Sequence, residues 1–182
     1  VTGTNGKTTT VNLLRHLLDA PDAPAASIGT LGVLLGDGTP FPGGSGLTTP
    51  GPIELQRLLR ALVDAGVRRI AMEVSSHALD QQRVGGLTFA AGVFTNLTRD
   101  HLDYHGTMEA YFAAKAKLVD LVAADGAIVS NADDRWWDGL PATRRVVRFG
   151  LAAVADVRAE DVRYTPRGSA WLLRHGQASR PV

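Results

Sequence analysis

The sequence predicts an α/β domain: a mostly parallel sheet flanked by helices, with a phosphate-binding loop at its start and an antiparallel hairpin at its end. Three observations carry that expectation. The chain opens on Gly3-Thr4-Asn5-Gly6-Lys7-Thr8-Thr9, directly ahead of a run with helical spacing. Three short, near-continuously apolar runs follow, separated by helical segments, as strands covered on both faces are. Each run ends in polar residues, so four polar segments, the opening loop included, fall on the carboxyl edge of one sheet, where ligands of open α/β sheets bind.

In chain order, the loop comes first. Gly3 and Gly6 let backbone amides approach an anion closely. Lys7 adds a point charge for the outer phosphates, and the Thr8 hydroxyl suits a magnesium ion. Val11, Leu13, Leu14, Leu17 and Leu18 give a helix from Lys7 or Thr8 to about Ala20, stopped by Pro21 and Pro24. The loop amides then lie at a helix N-terminus, whose dipole favours phosphate. Val1 stands where the strict loop pattern has a glycine, so the motif is a shortened G-x-x-G-K-T. A Gly/Thr-rich turn with one solvated lysine is the alternative; G-K-T opening an amphipathic helix favours a nucleoside triphosphate.

Residues 26–35 read as a strand with Gly29 and Gly32 inside it, and 36–51 as a Gly/Pro-rich loop carrying Leu47-Thr48-Thr49-Pro50. Pro52 starts a helix with the stripe Ile53, Leu55, Leu58, Leu59, Leu62 and Val63. Strands are expected at 69–74, 92–95 and 127–130, and a helix at about 108–124. Beyond 145–149, the runs 162–164 and 170–173 around Pro166-Arg167-Gly168 suggest the closing hairpin. No function is legible in that tail.

At 182 residues the chain suits one large domain with a sizeable core. A net charge of +1, with no basic run, gives no footprint for nucleic acid. The absence of cysteine excludes disulfides and thiolate metal sites. No apolar run approaches the ~20 residues that span a bilayer, and no signal peptide leads the chain. We expect a cytoplasmic monomer that engages neither nucleic acid nor membrane. A phosphate loop normally follows a buried strand, of which only Val1 stands here, so the chain is expected to be an excerpt of a longer protein.

Four places carry chemistry. Glu73 is a carboxylate in an apolar strand; beside a triphosphate it reads as a magnesium ligand, direct or through water, with an exposed edge or a structural ion pair as alternatives. Ser75-Ser76-His77 lacks a third orienting group, so substrate hydrogen bonding or helix capping is favoured over a nucleophile. Asp100-His101-Leu102-Asp103-Tyr104-His105 lacks zinc-site spacing, and one histidine serving a hard cation or phosphate is the favoured reading. Lys115 lies three and four residues from Tyr111, Phe112, Leu118 and Val119, in the middle of an apolar stripe that Lys117 does not share. Burial lowers an amine's pKa. A neutral amine can attack as a nucleophile or take up carbon dioxide as a carbamate, an anionic oxygen ligand for magnesium. The alternative is a lysine that snorkels its head to the surface.

Together, Gly3 to Thr9, Leu47-Thr-Thr-Pro50, Met72-Glu-Val-Ser-Ser-His-Ala-Leu79, Phe94 to Gly106, Tyr111-Phe-Ala-Ala-Lys115 and Asn131-Ala-Asp-Asp134 resemble the Mur ligases. Within them the chain is similar to the branch acting on UDP-N-acetylmuramoyl-L-alanyl-D-glutamate (the MurE type). The resemblance implies that residues 1–182 are the central ATP-binding domain, truncated before its first strand. It also implies absent UDP-binding and amino-acid-binding domains, and an isolated chain inactive on its own. The implied reaction is ATP-dependent amide-bond formation through an acyl phosphate, adding diaminopimelate or lysine to the UDP-N-acetylmuramoyl-dipeptide in peptidoglycan biosynthesis. Carried over by motif, Gly3, Thr4, Asn5, Gly6, Lys7, Thr8 and Thr9 would hold ATP, with Asn131 near the adenine. Thr8 and Glu73 would serve one magnesium ion; His101 and a carbamate on Lys115 would serve a second. Thr48, Thr49, Ser75, Gln81 and Arg83 would hold the muramoyl-peptide. Lys7, His101 and Lys115 would be the catalytic set. A folylpolyglutamate synthetase, another Mur ligase and a simple nucleotide switch are the rivals; the last would carry an N-K-x-D motif, which is not found.

Overall fold

The structure is a computed structural model that describes residues 1–44, 46–166 and 168–182. Gly6, at φ 82°, adopts a conformation that glycine tolerates best and turns the chain into α1 (Lys7–Leu18). The helix ends at Leu18, ahead of the prolines. Residues 26–35 are two strands rather than one: β1 (Ala25–Gly29) and β2 (Gly32–Leu35) pair antiparallel. Gly32, at φ 82°, closes the Thr30–Leu31 turn between them.

In α2 (Pro52–Asp64), Leu55, Leu58 and Leu62 are buried at i, i+3, i+7 spacing. Ile53 and Val63, expected on that stripe, lie off its narrow buried part and are exposed. β3 (Arg69–Met72) runs parallel to β1. Ser75 caps α3 (Ser76–Asp80) by accepting from Ala78 N at 3.1 Å, as the capping reading expects. β4 (Phe89–Phe94) follows, then α4 (Leu102–His105) and α5 (Met108–Ala116), which Thr107 caps.

The helix expected to reach residue 124 stops at Ala116. A 3-10 turn over Lys117–Leu121 then leads into the long β5 (Val122–Asn131). Leu118, Val119 and Val122 stay buried through the change, so the apolar pattern outlasts the helix. A second 3-10 turn, Arg135–Gly139, precedes β6 (Arg145–Gly150), β7 (Val157–Thr165), β8 (Gly168–His175) and β9 (Ala178–Pro181). The closing hairpin is thus a three-stranded antiparallel meander; Arg167, in its expected turn, lies outside the described residues.

Two sheets result, with strand orders β2-β1-β3 and β4-β5-β6-β7-β8-β9. Pairing is parallel from β4 through β7 and between β1 and β3. Val1 and Thr2 run between β3 and β4. Val1 donates to Met72 O and accepts from Val74 N, both at 2.8 Å, while Thr2 donates to Val93 O at 2.8 Å and accepts from Thr95 N at 3.0 Å. The phosphate loop therefore springs from between the two sheets. One apolar cluster, including Ile28, Leu55, Leu62, Val74, Phe94, Tyr111, Leu118 and Ile128, supports that edge. Among the described residues, no helix is long and apolar enough to cross a membrane.

Candidate active site

The loop is fixed on its β4 side. Thr4 N donates to Asn96 O at 2.7 Å and Asn5 N to Asn96 Oδ1 at 2.9 Å, while Asn5 O accepts from Thr95 Oγ1 at 2.7 Å and Asn96 Nδ2 at 3.1 Å. Gly3 is required sterically: a Cβ there would lie 1.9 Å from Thr95 Oγ1. Lys7 reaches back along the loop, its Nζ donating to Gly3 O at 3.0 Å and Thr4 O at 2.8 Å. Burial holds its pKa below the ordinary lysine range, against the pull of Glu73 and Asp100. Thr9 lies on the exposed side of the first turn of α1.

Lys115 comes to the same place from α5. It is 1% exposed, and its Nζ donates at 2.8 Å to the Gly3 carbonyl that Lys7 also uses. Burial and the neighbouring Lys7 charge lower its pKa from 10.5 to about 7. Its Nζ lies 4.5 Å from the centre of the Tyr111 ring. Lys117, by contrast, is exposed and pairs with Asp80 at 2.7 Å. The snorkelling alternative for Lys115 does not describe this side chain.

Glu73 is also 1% exposed. Its Oε2 accepts from Thr8 Oγ1 at 3.0 Å and Thr30 Oγ1 at 3.3 Å, and its Oε1 accepts from Thr30 N at 2.8 Å. These donors are neutral, and they set one carboxylate edge beside the Thr8 hydroxyl. The residues expected on the peptide side join from here. Thr49 Oγ1 donates to Glu73 O at 3.0 Å and accepts from Ser75 N at 3.1 Å. Thr48 Oγ1 meets Thr30 Oγ1 at 3.2 Å. Arg83 donates to Thr49 O at 3.2 Å and to Gln81 Oε1 through Nε and Nη2 at 2.9 and 2.6 Å. Thr48, Thr49, Ser75, Gln81 and Arg83 thus form one hydrogen-bonded stretch that begins at Glu73.

His101 is half-exposed in a left-handed conformation (φ 52°) at the start of α4, with Asp100 Oδ2 at 3.5 Å from its Nε2. Its ring lies 4.9 Å from that of His77 and 6.0 Å from that of Tyr111, centre to centre. Asn131 stands apart: its side chain accepts from Asp133 N at 3.0 Å, and it is Asp134 that reaches the β4 segment, accepting from Leu97 N at 2.6 Å. Among the described residues no group of three or more His, Asp or Glu side chains could hold a metal. A hard cation here would take Thr8 together with Glu73, or His101, and complete its shell with phosphate oxygens and water, a pattern that suits magnesium.

Sequence reasoning gave no role in the site to Thr30 or Gly29, and placed Tyr111 only on the apolar stripe around Lys115. Gly29 is pressed against Glu73, since a Cβ would lie 2.2 Å from Oε1. Both its partner and that of Thr30 are more than forty residues away in the chain, so no local pattern marks them. The Tyr111 tie to Thr4 spans 107 residues.

A family model of the Mur ligase middle domain matches residues 1–179. The UDP-N-acetylmuramoyl-L-alanyl-D-glutamate–2,6-diaminopimelate ligase of Geobacter sulfurreducens is 47% identical over 182 residues, covering 95% of this chain and 35% of that protein. The ligase of the same name from Synechococcus elongatus is 48% identical, covering 100% and 36%. A solved structure of a ligase of that name superposes with a TM-score of 0.80 at 32% identity, over 100% of this chain and 37% of that one. The MurF ligase of Thermotoga maritima in complex with ADP shares the fold, with a TM-score of 0.70 at 20% identity over 100% and 39%. The chain spans about a third of the length of the curated relatives it matches.

Proposed function

Since this chain belongs to the Mur ligase family, through its middle domain, we propose that it is the ATP-binding part of a three-domain ligase. That enzyme joins 2,6-diaminopimelate to UDP-N-acetylmuramoyl-L-Ala-D-Glu, the reaction for which its relatives are named; lysine is the other amino acid that the sequence alone allows. One observation carries the reading. Lys115, buried on α5, shares the Gly3 carbonyl with Lys7, so an amine over a hundred residues away is built into the phosphate loop.

The chemistry follows from charge. A carboxylate oxygen of the dipeptide attacks the γ-phosphorus of ATP, the bond to the bridging oxygen breaks and ADP leaves. The incoming amine then attacks the acyl carbon and gives up a proton, and the C–O bond to phosphate breaks. The first step brings two anions together. Lys7 and the loop amides oppose that repulsion, while Gln81 and Arg83 orient the peptide carboxylate, Arg83 through its planar fork and braced by the carbonyl of the buried Thr49. Bound magnesium, held by Thr8 and Glu73 and by His101 with Lys115, would supply further neutralisation of the phosphates. The neutral Lys115 amine suits the carbamate role: a C–N bond forms to carbon dioxide, a C=O π bond opens, and one proton goes to solvent. ATP would lie along the loop with its base toward Asn131.

The test is phosphate release by the complete enzyme, supplied with the muramoyl-dipeptide and diaminopimelate or with folate substrates. Release with the first pair alone supports the reading, and release with folates alone refutes it. Lys7→Ala should lower turnover by on the order of 3 kcal/mol of transition-state stabilisation, by comparison with other lost electrostatic donors. Near-normal turnover in that variant would remove Lys7 from the mechanism.

A further inference from the structure

Tyr111 is the largest fully buried side chain, and it touches three parts of the site at once. Its hydroxyl lies 3.2 Å from Thr4 Oγ1, in the loop. Its ring lies beneath Lys115 Nζ at 4.5 Å and faces the rings of His101 and His105 at 6.0 and 5.2 Å. Thr4 Oγ1 also accepts from Thr98 N at 3.0 Å and lies 3.2 Å from Thr98 O. Its one proton serves Thr98 O or Tyr111 Oη, which stand at the same distance, and the bond to Tyr111 forms with the tyrosine as donor or acceptor. Thr4 is thereby tied to Thr98 and Tyr111 by its side chain while its neighbour's carbonyl, Gly3 O, receives both lysines.

We propose that Tyr111 is a positioning residue with two separable actions: its hydroxyl pins the phosphate loop through Thr4, and its ring sets the direction of Lys115. The proposal rests on the ligase reading for the role of Lys115 and deepens it. The ring face attracts a cation and N–H groups and repels an anion. With one N–H held by Gly3 O and the ring closing the space beneath, the group on Lys115 is left to project away from the ring. A carbamate nitrogen is planar with a single hydrogen, so fixing that hydrogen and one face fixes the carboxylate plane.

Two readouts separate the actions from each other and from the ligase reading: calorimetric Mg·ATP affinity, and the 13C carbamate resonance of protein equilibrated with 13C-bicarbonate, with Lys115→Ala as its blank. Tyr111→Phe should weaken Mg·ATP binding about fivefold, the worth of one ordinary hydrogen bond, and leave the carbamate signal at wild-type intensity. Tyr111→Leu should weaken nucleotide binding equally and cut the carbamate signal as well. Thr4→Val breaks the same bond from the other end, so the double variant Thr4→Val/Tyr111→Phe should bind no more weakly than Thr4→Val alone. Wild-type affinity in Tyr111→Phe, or full additivity in the double variant, overturns the hydroxyl action. An undiminished carbamate signal in a folded Tyr111→Leu overturns the ring action. If Tyr111→Leu does not fold, Tyr111→Trp, which keeps an aromatic face, should retain the signal, and its loss there overturns the ring action. A wild-type protein with no Lys115-dependent resonance refutes instead the carbamate within the ligase reading, and with it the ring action. The Thr4–Tyr111 cycle still decides the hydroxyl action.

Discussion

Lys115 shows what burial does to a single residue. In the unfolded chain it keeps its proton to about pH 10.5, and in the folded protein it releases it at about 7. Below 7 both states are protonated, and the folded state bears the full cost of a buried ammonium beside Lys7. Between 7 and 10.5 the folded state has shed a proton that the unfolded state still holds, so stability rises with pH. Lys115→Met, which cannot charge, should therefore be more stable than the parent at pH 6, with an advantage that shrinks by about 3 kcal/mol by pH 9. Urea denaturation of both proteins at the two pH values checks this, and a pH-independent difference would contradict it. Part of this was readable beforehand: Tyr111, Phe112, Leu118 and Val119 surround position 115 at helical spacing and mark it as buried. Its hydrogen-bond acceptor was not, because Gly3 reaches it only through the fold.

Among the elements, the β1–β2 hairpin matters most to the site. Its turn carries Thr30, whose amide and hydroxyl grip Glu73, and its last β1 residue, Gly29, leaves the room that the carboxylate fills. Gly29→Ala places a methyl where Oε1 now sits. We expect a loss of stability on the order of 2 kcal/mol from overpacking, and weaker Mg·ATP binding, because Glu73 must swing away from Thr8. Thermal melting and calorimetry measure the two effects, and a stable variant with intact affinity would show that Glu73 can move freely. The hairpin was missed in the sequence because the apolar run continues through it; Gly32 reverses the chain by its φ alone. The end of α5 was misplaced for a similar reason. Leu118, Val119 and Val122 keep the periodic apolar pattern while the backbone tightens into a 3-10 turn. Periodicity reports which side chains are buried, and backbone dihedrals decide which element buries them. The parallel strands were legible because their two covered faces leave continuous apolar runs at Ile70 to Met72, Val93 to Phe94 and Ile128 to Val129.

At the scale of the molecule, the strand ends bring Gly3, Glu73, Asn96 and His101 to one edge, as polar termini on a parallel sheet should. Val1 and Thr2 bond to β3 on one side and β4 on the other, so the loop that follows them answers to both sheets. Charge is nearly balanced overall, and the basic side chains are mostly arginine. Lysine occurs three times: twice at a single carbonyl in the site and once, at 117, on the surface with Asp80. That distribution makes the protein its own footprinting reagent. Brief acetylation should mark Lys117 first, as the exposed amine. Mg·ATP should shield Lys7 and leave the Lys117 rate unchanged, and peptide mass spectrometry would read both from the same digest. Equal protection at Lys7 and Lys117 would mean that the nucleotide rearranges the whole surface instead of filling the loop. A map of nucleotide occupancy thus needs no engineered label, because arginine has taken nearly every other basic position.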